Sequence, residues 1–171
     1  WNEYNLSGSG FNKDGRPPES YADLCKAVYT ALKKDNPSTF VWGLVTAGVD
    51  RNFIRRVFEA GGGEYMDGVD IHHYSLKQAP ERGGIITDIA DLKAIMKEYK
   101  IEDKPIYISE NGYASVGTDG YADEHQQACY SVRLRVLNDA YDLSDRYAFY
   151  TMNNGGIQKA YTTLCPNVYE K

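Results

Sequence analysis

The chain has 171 residues, the length of one domain, and its 42% hydrophobic and 25% charged composition excludes a disordered, collagenous or membrane-embedded protein. Its 19 Lys and Arg against 24 Asp and Glu leave a net charge of −5, with no basic run able to follow a phosphate backbone, so neither nucleic acid nor a membrane is an expected partner. No signal-peptide succession opens the chain, and because removal of a signal leaves no trace, location is left open, secretion included.

In chain order, the turn-rich stretch from Ser7 to Pro18 leads into a first helix. Pro17 and Pro18 suit its first turn, Tyr21, Leu24, Val28 and Leu32 recur at helical spacing, and Asn36-Pro37 stops it. Phe40-Val41-Trp42-Gly43-Leu44-Val45 reads as a buried strand. Asp50 then caps a helix carrying Phe53, Ile54, Val57 and Phe58 on one side, and Gly61-Gly62-Gly63 ends it. Met66 to Tyr74 is the next strand; the helix after it opens at Thr87 or Asp88, with Ile89, Leu92, Met96 and Tyr99 on one stripe. Pro105 to Glu110 is a further strand, followed by a loop from Asn111 to Gly120. Asp123 and Gln126 form a capping box for a helix running through Ala128, Val132 and Leu137, whose Arg133 and Arg135 belong to a solvated face. Arg146 to Met152 is the last strand. Cys25, Cys129 and Cys165 are odd in number and widely spaced, which fits neither a disulfide framework nor a zinc ribbon.

Strands alternating with helices imply parallel pairing and an α/β fold. Both an open doubly wound sheet and part of a (β/α)8 barrel fit this alternation, but no phosphate loop follows any strand. The barrel reading is favoured by where polar side chains fall: Asn2-Glu3, His72-His73-Tyr74, Ser109-Glu110 and Met152-Asn153-Asn154 all close expected strands, and barrel sites are assembled at C-terminal strand ends. Two carboxylates converging there, Glu3 and Glu110, are suited to cleaving a glycosidic bond, one as proton donor and the other as nucleophile, with a separation of roughly 5 to 5.5 Å in the retaining case. Strand period puts His72 and Tyr74 on one face and His73 on the other. Asp70, His72 and His73 are also metal-compatible types, yet adjacent histidines point apart and further ligands are not evident; no metal and no cofactor is expected.

Trp1-Asn2-Glu3 and Ile108-Ser109-Glu110-Asn111-Gly112-Tyr113 resemble strands four and seven of the clan of retaining glycoside hydrolases built on (β/α)8 barrels, which includes cellulase and β-xylosidase families. Asp67 to Tyr74 resembles strand six of the same clan, and the helix from Asp123 to Asp142 resembles the scaffold after the nucleophile. The resemblance implies that Glu3 is the acid/base, Glu110 the nucleophile, and Asn2 a hydrogen-bond partner of the sugar 2-hydroxyl. It further implies that Tyr74 donates to the nucleophile and that His72 holds the site together. Trp42, Tyr113 and Tyr150 are further candidate substrate contacts; where clan members place a strand-eight Trp, this chain offers Phe149, Tyr150 and Met152.

The resemblance spans strands four to eight, while a complete barrel needs about 250 residues. The expectation is therefore a single unit, residues 1–171, forming the C-terminal portion of a longer glycosidase barrel, with carbohydrate as substrate and the remainder of the barrel, or self-association, covering its open edges. The expected activity is hydrolysis of β-linked polysaccharides or oligosaccharides. A non-catalytic carbohydrate-binding module derived from such a barrel is the alternative, and a metal-dependent hydrolase centred on Asp70 and His72 a third reading.

Overall fold

A computed structural model describes residues 1–8, 12–76, 78–114 and 123–150. Within them the elements run α1 (Pro18–Asp35), β1 (Trp42–Ala47), α2 (Arg51–Glu59), a 3-10 turn (Gly62–Tyr65), β2 (Gly68–His73), α3 (Ile85–Glu98), β3 (Ile106–Asn111), α4 (Glu124–Ala140) and β4 (Arg146–Tyr147). The four strands pair in sequence order, all parallel, and form an arc backed by the helices. This is the α/β architecture expected from the alternation of patterns. No helix among the described residues is long and apolar enough to cross a membrane.

Side-chain alternation divides β2 between two surroundings. Val69, Ile71 and His73 face the helices, where His73 meets Asp88 of α3, whereas Gly68, Asp70 and His72 face the inside of the arc. Leu44, Val69, Ile71, Ile106 and Ile108 pack from the sheet onto Ile54, Val57, Ile85, Ile89, Leu92 and Leu134 of the helices, and this layer is the core. The α2 expectations hold in detail: Asp50 accepts from Phe53 N at 3.0 Å, the buried residues are Phe53, Ile54, Val57 and Phe58, and Gly61 ends the helix at φ 82°. The capping box of α4 is also present, with Gln126 N donating to Asp123 Oδ1 at 2.7 Å and Asp123 N to Gln126 Oε1 at 3.2 Å.

Other boundaries and faces differ. The first strand begins at Trp42 rather than Phe40, which is exposed. Helix α3 begins at Ile85, two or three residues early, because Gly84 at φ 84° turns the chain into it; Asp88 is then free to bind Arg51 and His73 instead of capping. Helix α1 buries Tyr21 and Ala22, while Val28 and Leu32 of the expected stripe are exposed. Helix α4 turns a mostly polar stripe inward, Gln127, Tyr130, Ser131, Leu134 and Asn138, and exposes Ala128, Val132 and Val136. The expected strand at Asn2-Glu3 is not a strand; the segment joins β1 through one backbone bond, Glu3 N to Val45 O at 2.7 Å. Of the last expected strand, Arg146–Tyr147 is present, and Met152 lies outside the described residues.

Candidate active site

Strict alternation along β3 puts Ile106 and Ile108 toward the helices and would send Glu110 after them. It does not, because the pairing with β2 slips by one residue: Ile71 pairs with Ile108, and His72 with Glu110. Ser109 is the extra residue, and such a bulge reverses the faces that follow it. Its N–H, left out of the ladder, donates to Asp70 Oδ1 at 3.2 Å. The buried Asp70 carboxylate is held above the usual carboxylate range, chiefly by its burial, and Ser109 opposes that rise. A second slip occurs between Leu44 and Thr46 of β1, where Val45 O takes the Glu3 N–H. Glu110 is thus aimed by the bulge in its own strand, and Glu3 lies beside the bulge of β1, to which its backbone is bonded.

Between them stands His72, 1% exposed at the side chain. Its Nδ1 lies 2.9 Å from Glu3 Oε1 and 3.5 Å from Glu110 Oε2. Tyr74, one residue beyond β2, donates its hydroxyl to Glu110 Oε2 at 2.8 Å. The Tyr74 phenol is pushed far above its ordinary range, first by burial and then by the Glu110 carboxylate, so it remains a donor at any working pH. One oxygen of Glu3, one of Glu110 and a ring nitrogen of His72 lie within 4.8 Å of one another.

Those same three atoms form the one group among the described residues able to converge on a cation. The alternative ligand set around Asp70 is not assembled: Asp70 is bound to Ser109 and His73 to Asp88 on the other face of the sheet. Burial lowers the His73 pKa, opposed by Asp88.

The remaining candidates divide by position. Asn2 sits half-buried beside Glu3. Tyr150 is exposed, is held by its N–H to Asn111 O at 2.7 Å, and its phenol adds to the upward shift of Tyr74. Gly112 permits this approach, since a Cβ there would come 2.6 Å from Tyr150 O. Trp42 opens β1, about 16 Å of strand below Ala47, and packs against Phe40, Tyr107 and the Arg146 guanidinium. Tyr113 is 4% exposed, donates to Gln78 O at 3.1 Å and packs on the Tyr130 ring, so it supports the loop. Met152, Asn153 and Asn154 lie outside the described residues. Sequence reasoning passed over Asn5 and read Val45 and Ser109 only as parts of strands; their bulges carry no residue-type signal, because bulges arise from pairing between strands.

No protein-family model and no curated protein matches the chain. Solved structures do. A glucosidase from Croceicoccus marinus aligns with TM-score 0.68 at 16% identity over 86% of this chain and 31% of its own. A GH39 β-xylosidase from Caulobacter crescentus aligns with TM-score 0.64 at 24% identity, over 88% and 31%. A family 44 xyloglucanase from Paenibacillus polymyxa aligns with TM-score 0.68 at 12% identity, over 90% and 41%. The chain therefore has the fold of part of a glycosidase barrel, and it spans about a third of the length of the first two of these structures.

Proposed function

We propose that residues 1–171 carry the two catalytic carboxylates of a retaining β-glycosidase and act within a complete barrel. The observation that carries this reading is the convergence of Glu3 and Glu110 through His72, with oxygens inside 4.8 Å at the C-terminal strand ends. The near approach of one oxygen of each carboxylate supports the retaining separation of roughly 5 to 5.5 Å over the inverting one of roughly 6.5 to 9.5 Å.

In the first step Glu110 attacks the anomeric carbon, the bond to the leaving oxygen breaks, and that oxygen takes the proton of Glu3. The products are a glycosyl ester on Glu110 and an ionised Glu3. In the second step Glu3 removes a proton from water, the resulting hydroxyl bonds the anomeric carbon, and the ester bond breaks to restore Glu110. Tyr74 holds Glu110 in line and His72 keeps Glu3 in reach, and in this reading Asn2 and Tyr150 are the side chains that touch the sugar. The glucosidase, β-xylosidase and xyloglucanase neighbours support β-linked oligosaccharides or polysaccharides as the substrate class.

The test is hydrolysis of aryl β-glycosides with chemical rescue. Glu110→Ala should abolish turnover of every substrate, and azide should restore a product of inverted configuration. Glu3→Ala should still form the glycosyl ester from a dinitrophenyl glycoside and then stall; azide should relieve the stall and release a β-glycosyl azide. If azide rescues neither variant, or Glu3→Ala keeps full activity on a poor leaving group, the assignment is wrong.

A further inference from the structure

Glu3 stands on an unusual junction. It has φ 44°, and the β1 residues beside it, Leu44 and Val45, have φ 70° and 47°. Three non-glycine residues in left-handed conformations meet where the β1 register slips. Residues with a Cβ adopt that conformation only when their surroundings impose it, and such residues gather at functional sites. What imposes it here is a short graft on the edge of β1. Glu3 N–H donates to Val45 O at 2.7 Å, and two residues further on the Asn5 side chain reads both polar groups of one peptide position. Asn5 Nδ2 donates to Ala47 O at 3.0 Å, and Ala47 N donates to Asn5 Oδ1 at 2.9 Å.

A side-chain amide carries the same donor and acceptor as a peptide group, so Asn5 continues by side chain the pairing that Glu3 begins by backbone. Tyr4, between them, turns the other way. Its ring packs at 5.3 Å from Tyr21, its hydroxyl shares a bond with Ser20, and its carbonyl accepts from Asn12 Nδ2 at 3.0 Å. Tyr4 anchors the segment to the helices, but it does not fix the segment's height along β1. The Asn5 amide does, because Ala47 is one defined rung.

We propose that Asn5 is a positioning residue for the acid/base: its amide sets the register of residues 3–5 on β1 and thereby holds the Glu3 carboxyl at hydrogen-bond distance from His72. Glu110 does not depend on it. The nucleophile is placed by β3, by the Ser109 bulge and by the 2.8 Å bond from Tyr74, and its link toward Asn5 runs through His72, at the longer 3.5 Å and on a neighbouring strand to Ala47. Loss of the amide should therefore damage proton transfer and leave nucleophilic attack in place, a split that general loosening of the fold would not produce.

This inference rests on the glycosidase reading, and the experiment separates the two. The full natural polypeptide is assayed for trapping of Glu110 by a 2-fluoro dinitrophenyl β-glycoside, which needs no acid, and for turnover of phenyl β-glycosides, which do. Asn5→Ala should slow phenyl glycoside turnover by about a hundredfold, the scale of an ångström-sized misplacement, and change the trapping rate by less than about threefold. If Asn5→Ala gives no folded protein, Asn5→Asp replaces it with the same readouts: it keeps an acceptor for Ala47 N and loses the donor to Ala47 O. An unmodified protein that neither traps nor turns over any β-glycoside removes the glycosidase reading and this inference with it. An active protein whose Asn5 variant slows both steps equally, or neither, removes the inference alone.

Discussion

Tyr74 lies past the end of its strand, is 39% exposed as a residue, and yet has one fixed partner, Glu110 Oε2. Burial of the phenol and the neighbouring carboxylate both oppose its ionisation, so the bond always runs from phenol to carboxylate. A hydrogen bond to a charged group contributes about 1.5 to 3 kcal/mol, so Tyr74→Phe should lower kcat/KM by about ten- to a hundredfold, with thermal stability little changed. Steady-state kinetics on a dinitrophenyl glycoside, where attack by Glu110 matters most, would show it; an unchanged kcat/KM would mean that this bond does not orient the nucleophile. Asp70 acts more remotely. Its carboxylate satisfies the N–H that the Ser109 bulge sets free, and that bulge turns Glu110 inward.

At the level of elements, the short helix α2 has nine residues and depends on its ends and its one apolar face. Its four buried side chains fix which way it faces, and the Asp50 carboxylate closes its first turn. Removal of such a cap costs about 1 kcal/mol, so Asp50→Ala should lower the unfolding free energy by that amount while leaving the carboxylate pair in place, as denaturant titration beside trapping kinetics would reveal. Helix α4 is organised differently. Tyr130 and Leu134 pack inward together with Gln127 and Asn138, the latter accepting from the Ser144 hydroxyl at 2.6 Å. The α4 to β4 connection is thus held by these hydrogen bonds together with the buried Leu143, and the helix is left with Val132 and Val136 facing outward, 66% and 59% exposed.

For the molecule as a whole, the arc of four strands has two ends. Val28 and Leu32 of α1 are uncovered at one, Val132 and Val136 of α4 at the other, and Trp42, Tyr107 and Arg146 line the inner face. Edges and apolar faces of this kind are covered in stable proteins by further strands and helices or by another copy. Expressed by themselves, residues 1–171 should self-associate at micromolar concentration, and Val132→Lys with Val136→Lys should reduce the association. Sedimentation would decide it, and a monodisperse monomer with a sharp unfolding transition would show that the arc is self-sufficient.

Several features were open to reading from the residues alone because their physics is local. Asp50 before an apolar stripe, Asp123 three residues from Gln126, Asn36-Pro37 after a helical run, and the opposite faces of His72 and His73 all follow from capping geometry, proline sterics and the two-residue period of a strand. The candidates Glu3, His72, Tyr74 and Glu110 were legible by residue type and by the motifs around them. Only the tertiary structure decided how they meet. A two-residue period sends Glu110 to the helices, and the slip opposite Ile71 and His72 returns it to the site; Trp42 and Tyr113 are candidate sugar contacts by type, and only the structure shows that one opens its strand and the other supports a loop. The inward stripe of α4 escapes notice because its polar members are paid for by hydrogen bonds formed only after the chain has folded. Register, bulges and polar satisfaction are relations between segments distant in sequence, and the residue types of one segment do not encode them.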